Sequence, residues 1–388
     1  MVNKYKKFTK EKEVYHYMRS LITGLLVTFL LLTPGMGIAQ TEKTSVEKLL
    51  LSVTERNWQQ WSRGDGSITF QELADCMANP AYRGEDAAVL AGLTQYFLDV
   101  KPTKEKLTKQ DIDNLLVSNV RLQKDCLDNL CNLYQNNSDL YANGEPTFSA
   151  VSQGKISNCF LVSALGWLAL HRDNEIKQAI RPVENGYEVH FPSQHIVNVS
   201  PPTQAEIVFN NTYAGSDGLW VTVLQKAFGD RYSPYSPFQD KIEPTLNTSD
   251  RGFAAYIQHI WTGKTALCYI VKPENRNLIR DKLITIAQNK QLAQTGVMNI
   301  TDDMPIVPGL GYGHAYAVLD FNPITNYLTL WNPWANNFVP AGKDGLTYGY
   351  LTHGGVFKIH LDEFLKVFCE LIYEGEETVI LPFMEVEK

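Results

Sequence analysis

The stretch QGKISNCFLVSALGWLAL at residues 153–170 constrains this chain more than any other. Ser157 is a fair N-cap, and the residues after it are apolar nearly all the way round a helix, so that helix has to lie inside a core. The chain can supply one: 388 residues, 44% hydrophobic and 20% charged, exclude a disordered chain or a Cys-dense scaffold. At about 100 to 200 residues per domain, the length allows two domains, or one with an appendage. Cys159 falls in the first turn of this helix. A thiol there meets the partial positive charge of unpaired amides, which favours the nucleophilic thiolate. Taken alone, Cys159 reads equally well as a small buried hydrophobe.

Two distant pieces shift the balance. His314 opens the strand HAYAVLDF after the glycine-rich PGLGYGH, and Asn332 follows the strand YLTLW in the tripeptide NPW. An imidazole acting as a base needs a partner on its second nitrogen, and an Asn carbonyl accepts that hydrogen bond without adding charge. His314 lies 155 residues after Cys159 and Asn332 a further 18 on, an order that suits a nucleophile on one lobe and a base on another. Singly, His314 is also readable as a satisfied core histidine and Asn332 as a turn cap before Pro333.

These residues resemble the calpain-type cysteine peptidases of the papain-like superfamily. QGKISNCFL is similar to that family's Gln-Gly-x-x-x-Asp-Cys-Trp-Leu, LWVTVLQKAF to its Leu-Trp helix, GHAYAV and WNPW to its His and Asn blocks, and GGVFKIHLDEFLKVF to the segment closing the protease core. The resemblance covers residues 146 to about 375. It implies an α+β, papain-like two-lobed core with Cys159 as nucleophile, His314 as general base and then acid, and Asn332 as its orienter. It places Gln153 at the oxyanion hole, where one donor is worth about 100- to 1,000-fold in rate. Trp334 would shield the His314–Asn332 hydrogen bond, and Gly313 would let substrate backbone approach closely. Asn158 and Phe160 replace the family's Asp and Trp around the nucleophile. ANNF follows NPW without the usual acidic residue and GG precedes Val356, so at least one calcium site of the family lacks its ligands.

The expected activity is therefore a cysteine endopeptidase working through a thioester on protein or peptide substrates, dependent on calcium or not, with no organic cofactor required. The alternatives are a catalytically silent binding module of the same fold and an acyl transferase of transglutaminase type. Residues 146–388 form the expected core, and residues 40–145 a helical N-terminal region, for which an inhibitory pro-region is favoured over a substrate-docking domain or plain structural support. The boundary falls in QNNSDLYANGEP at 135–146, the composition of an exposed connection. In the helical region, Thr108 followed by Asp111 is a capping box before IDNLLVSNV. Residues 61–73 imitate an EF-hand, with Asp65, Gly66, Ile68 and Glu72 in step but Trp61 and Arg63 at ligand positions, so calcium binding is not expected there.

The apolar run at 21–32, preceded by Lys4, Lys6, Lys7, Lys10, Lys12 and Arg19 and followed by Gly37 and Ala39, is too short to span a bilayer and reads as a signal peptide cleaved before Gln40. Export to the periplasm or beyond the cell is the consequence, without a stable membrane anchor. Removing residues 1–39 takes 6 of the 35 basic and 2 of the 42 acidic residues and leaves a net charge of −11. With no basic stripe, the mature chain is not expected to bind nucleic acid. The six cysteines include no CxxC pair, which argues against zinc; Cys126 with Cys131 or Cys76 are the disulfides to test.

Overall fold

A computed structural model describes residues 38–100, 106–134, 138–191, 195–210, 218–232, 254–297 and 305–375. The run at 21–32 lies outside the described residues. No described helix is long and apolar enough to cross a membrane. The chain is α+β and divides into two compact units.

The first unit gathers residues up to Ala142 together with Gly154–Ile156 and Pro201–Asn247. Its helices are Ile38–Trp61, Phe70–Met77, Glu85–Val100, Lys109–Ser118, Val120–Tyr134, Gln204–Asn210 and Trp220–Tyr232. Leu50, Trp61, Leu73, Leu90 and Ile112 form a buried cluster that Ile156, Ala205, Val208 and Phe209 complete. This shared core is why the later segments join the N-terminal helices. The amides of Gly154 and Lys155 extend the join by donating to the carbonyls of Asn210 and Phe209 at 3.1 and 2.9 Å.

The EF-hand imitation is half of a pair. Strand β1, Ser67–Thr69, runs antiparallel to β2, Lys106–Thr108, with Ile68 opposite Leu107. Each strand ends in a capping box: Thr108 with Asp111, and Thr69 with Glu72. The residues do not fit calcium. Trp61, at the first position, is fully buried, and Arg63 pairs with Asp75. Asp65 accepts from the Ser67 amide at 2.9 Å and from the Lys106 ammonium at 3.1 Å. The Glu72 carboxylate, which would be the bidentate ligand, accepts from the Thr69 amide at 2.8 Å instead.

All six cysteines are free thiols, so neither expected disulfide forms. Cys126 and Cys131 share one helix; five residues at 100° each turn their side chains about 140° apart. Cys126 is buried against Gly92, where an added Cβ would stand 2.5 Å from its Sγ.

The second unit comprises Asn143–Gln153, Ser157–Ser200 and Thr248–Lys388. Three short strands, β3 (Ile180–Val183), β4 (Gly186–Phe191) and β5 (His195–Val199), form one antiparallel sheet. The main sheet holds β6 (Ala266–Ile270), β7 (Ala293–Val297), β8 (His314–Asn322), β9 (Tyr327–Trp331), β10 (Val356–His360) and β11 (Glu370–Glu374), in the order β10-β9-β8-β7-β11-β6. Helix Cys159–His171 packs on β8, and the Trp167 indole donates to the Val318 carbonyl at 3.0 Å. Eleven of its residues, Phe160 to Leu170, are buried, as its all-round apolar surface requires. Gly166 brings it onto Trp331: a Cβ at Gly166 would lie 2.2 Å from the indole ring. Phe148 also packs on that indole, its ring centroid 5.0 Å away.

Candidate active site

The N-terminus of the Cys159 helix is fixed from the sheet. Buried Gln294 on β7 donates to the Phe160 carbonyl at 2.6 Å and to the Ser163 hydroxyl at 2.7 Å, and its own carbonyl accepts from Gln258 at 3.2 Å. The N-cap is Asn158 rather than Ser157, and its side chain makes no capping bond. Cys159 is the first helical residue. Its backbone N–H is one of the four amides that a helix leaves without an internal acceptor.

His314 is the first residue of β8 and Asn332 follows the last residue of β9, so β8–β9 pairing brings the two side chains together. His314 Nε2 lies 2.8 Å from Asn332 Oδ1. The same oxygen accepts the Trp334 amide at 3.0 Å, and a backbone N–H can only donate. Oδ1 is therefore the acceptor for both, His314 carries its proton on Nε2, and Nδ1 keeps a free lone pair. The Asn332 amide donates to the Gly355 carbonyl at 2.8 Å. Gly355 has φ +83°, and a Cβ there would come within 2.2 Å of the Asn332 backbone carbonyl oxygen. The second glycine of GG is thus a steric requirement of the site.

Trp334 lies over the imidazole with ring centroids 4.2 Å apart and remains 46% exposed, so one face of His314 is covered by a ring that itself meets solvent. Gly311 leaves room for that indole: a Cβ would stand 2.5 Å from it. Gly313 takes φ +60° immediately before His314. Tyr316 accepts the Gly311 amide at 2.7 Å and holds this approach in place.

Gln153, Cys159, Gly313, His314 and Trp334 line one open cleft, together with Ser157, Phe160, Gly296, Ala315 and Glu370. The Gln153 amide donates to the Pro333 carbonyl at 2.7 Å, tying it to the loop that carries Asn332. The structure thus brings the six sequence-derived residues together in the second unit, Asn332 through its bond to His314. Cys159 Sγ accepts from the Ala315 amide at 3.4 Å, and among the described residues no hydrogen bond joins it to His314.

Electrostatics at rest differ from the expected thiolate. Burial pushes the Cys159 thiol up, although the amides of Ala315, Phe160 and Cys159 pull the other way. Burial lowers His314 from 6.5 to about 4, only partly offset by its bond to Asn332. For the Cys159 thiol, desolvation outweighs the donated amides. A pH dependence of stability follows. Above about pH 6.5 His314 is neutral folded and unfolded, whereas between 6.5 and 4 the unfolded chain binds its proton first. Stability is lost as the pH falls through that window, by up to about 3 kcal/mol. Denaturant unfolding at pH 7, 5.5 and 4 should show the wild type losing that much more than His314→Gln; equal losses would exonerate the imidazole.

Sequence reasoning overlooked Gln294, the Ala315 amide and Glu370. Each reaches the site through cross-strand pairing, which leaves no local signature. The calcium-site departures also have a structural counterpart. The Asn337 side chain accepts the Gly354 amide at 2.8 Å, the Asn336 carbonyl accepts the Gly355 amide at 2.7 Å, and no group of three or more His, Cys, Asp or Glu among the described residues could hold a metal. Both loop oxygens thus accept amides of the GG segment.

In comparison with known proteins, a family model described as calpain family cysteine protease matches residues 128–342. No curated protein shows significant similarity to the chain.

Proposed function

Because the chain belongs to the calpain family of cysteine proteases, we propose that it is a cysteine endopeptidase acting through Cys159, His314, Asn332 and Gln153. The observation carrying this reading is the 2.8 Å bond from His314 Nε2 to Asn332 Oδ1, which leaves Nδ1 as the proton acceptor in a cleft shared with Cys159.

In this reading a peptide entering the cleft takes the Ala315 amide's place beside the thiol. His314 Nδ1 accepts the Cys159 proton as Sγ bonds to the scissile carbonyl carbon. The carbonyl electron pair moves onto oxygen, stabilised by the Gln153 side chain and the Cys159 backbone N–H. Collapse breaks the C–N bond, and the departing nitrogen takes the proton from Nδ1. Water, deprotonated by Nδ1, then attacks the thioester; the C–S bond breaks and the thiol is restored. Protonation first and attack second would be costly here, because burial disfavours both members of a thiolate–imidazolium pair. Catalysis is read as independent of calcium, on the donor chemistry of the loops.

The test is labelling of the protein by an epoxysuccinyl thiol-protease inhibitor, in calcium and in chelator, with the adduct located by mass spectrometry. Stoichiometric modification at Cys159 alone, equal in both conditions and accompanied by peptide hydrolysis, is the expected result. Absence of labelling would leave the silent binding module, and transfer to a labelled amine in preference to water would mark an acyl transferase. Export belongs to the same proposal, supported by the basic residues and apolar run before Gln40. Sequencing the N-terminus of the cell-produced protein tests it; an intact residue 1 would refute it.

A further inference from the structure

The wall of the cleft holds a carboxylate that the chemistry above does not use. Glu370 opens β11 and stands opposite Gly296 on β7, which stands opposite Ala315 on β8. One rung of the sheet thus runs from the amide that holds the Cys159 thiol to Glu370. Neighbouring strands are about 4.8 Å apart, so the two ends of the rung are about 10 Å from each other. The side chain covers part of that gap. A Cβ built on Gly296 would lie 2.7 Å from Glu370 Oε1, so the carboxylate lies over the glycine in space a larger residue would fill.

Glu370 is partly buried, and among the described residues no hydrogen bond or ion pair reaches its carboxylate. Burial alone raises its pKa. The uncompensated charge is felt by its neighbour Cys268, pushed up to about 11 by burial and then by Glu370. A partly desolvated carboxylate facing a ligand cleft is stabilised by an incoming cation that can also donate hydrogen bonds. A guanidinium or ammonium on a flexible stem has the reach to bridge the distance from the scissile bond to the wall.

We propose that Glu370 is a specificity-determining residue that selects an arginine or lysine side chain within a few residues of the scissile bond. The inference rests on the reading of the Cys159 cleft as a peptide-binding site. Its mark is the difference between a cationic side chain and its neutral isostere, which bulk fit alone would not produce.

The experiment uses the full chain carrying Cys159→Ala, so that binding is measured without turnover. Fluorescently labelled octapeptides with one central arginine are compared with the same peptides carrying citrulline. The arginine peptide should bind about 10-fold or more tightly, in keeping with a charge-assisted pair. Glu370→Gln in the same background should bring the ratio near one, and Glu370→Lys should favour a central glutamate over glutamine. A ratio near one before any change at Glu370, no measurable binding of either peptide, or a preference that survives Glu370→Gln would overturn the inference. The two readings fail separately. Glu370-dependent binding without inhibitor labelling at Cys159 would sink the peptidase alone; labelling with equal affinities would sink only the role of Glu370.

Discussion

Cys159→Ala will lower peptide turnover by a factor on the order of a million, and adding His314→Ala to it will cost almost nothing more. In the proposed mechanism the two side chains act on one proton: without the thiol there is nothing for Nδ1 to accept, and without Nδ1 a buried thiol stays protonated. Asn332→Ala should cost less, because it frees the tautomer and ring angle while leaving both reacting groups in place. Single-turnover rates for the three single variants and the Cys159/His314 double variant measure this. Additive losses in the double variant would mean that the residues do not work as a unit, and the neutral-pair mechanism would have to be abandoned.

Gly166→Leu should unfold the second unit at ordinary temperature or lower its stability by about 3 kcal/mol or more. Even a methyl at this position would overlap the Trp331 ring, at 2.2 Å, and an isobutyl group has nowhere to turn. The helix would have to lift from the sheet, and since Asn332 is the next residue after Trp331, the orienting hydrogen bond would go with it. Ser163→Ala, on the same helix but removing only a hydroxyl that bonds Gln294, serves as the mild comparison. Thermal unfolding and inhibitor labelling at Cys159 should fall together for Gly166→Leu. Near-wild-type melting would show that the helix does not sit on Trp331.

The candidate site was readable because it depends on residue type. Cys159, His314 and Asn332 announce themselves through a helix start and two strand ends, and β8 and β9 follow the apolar and aromatic runs HAYAVLDF and YLTLW. The capping box at Thr108 was local and therefore visible, while its twin at Thr69 passed unnoticed inside the EF-hand pattern. Strand β11 was hidden for another reason: four of its five residues are buried, so it lacks the alternation that marks a half-exposed strand. β3 was obscured by Pro182, tolerable because this strand pairs on one side only. The helix terminus at Cys159 is a sequence property, whereas the burial that opposes it is not. Gln294 and Glu370 depend on which strands are neighbours, and β7, β8 and β11 become so only after folding.

The first unit's mixed parentage bears on what a protease nick could achieve. Ala205, Val208 and Phe209 share one core with the N-terminal helices, and the Thr203 hydroxyl donates to the Met77 carbonyl at 2.6 Å. Severing the chain in the connection before residue 146 would therefore break a covalent bond without dissolving the apolar contacts across it. The excised helices would stay seated on helix Gln204–Asn210 as a noncovalent subunit, and a gel-filtration column would see one species where a denaturing gel sees two. If cleavage there activates the enzyme, it does so by loosening a tether rather than by shedding a cap.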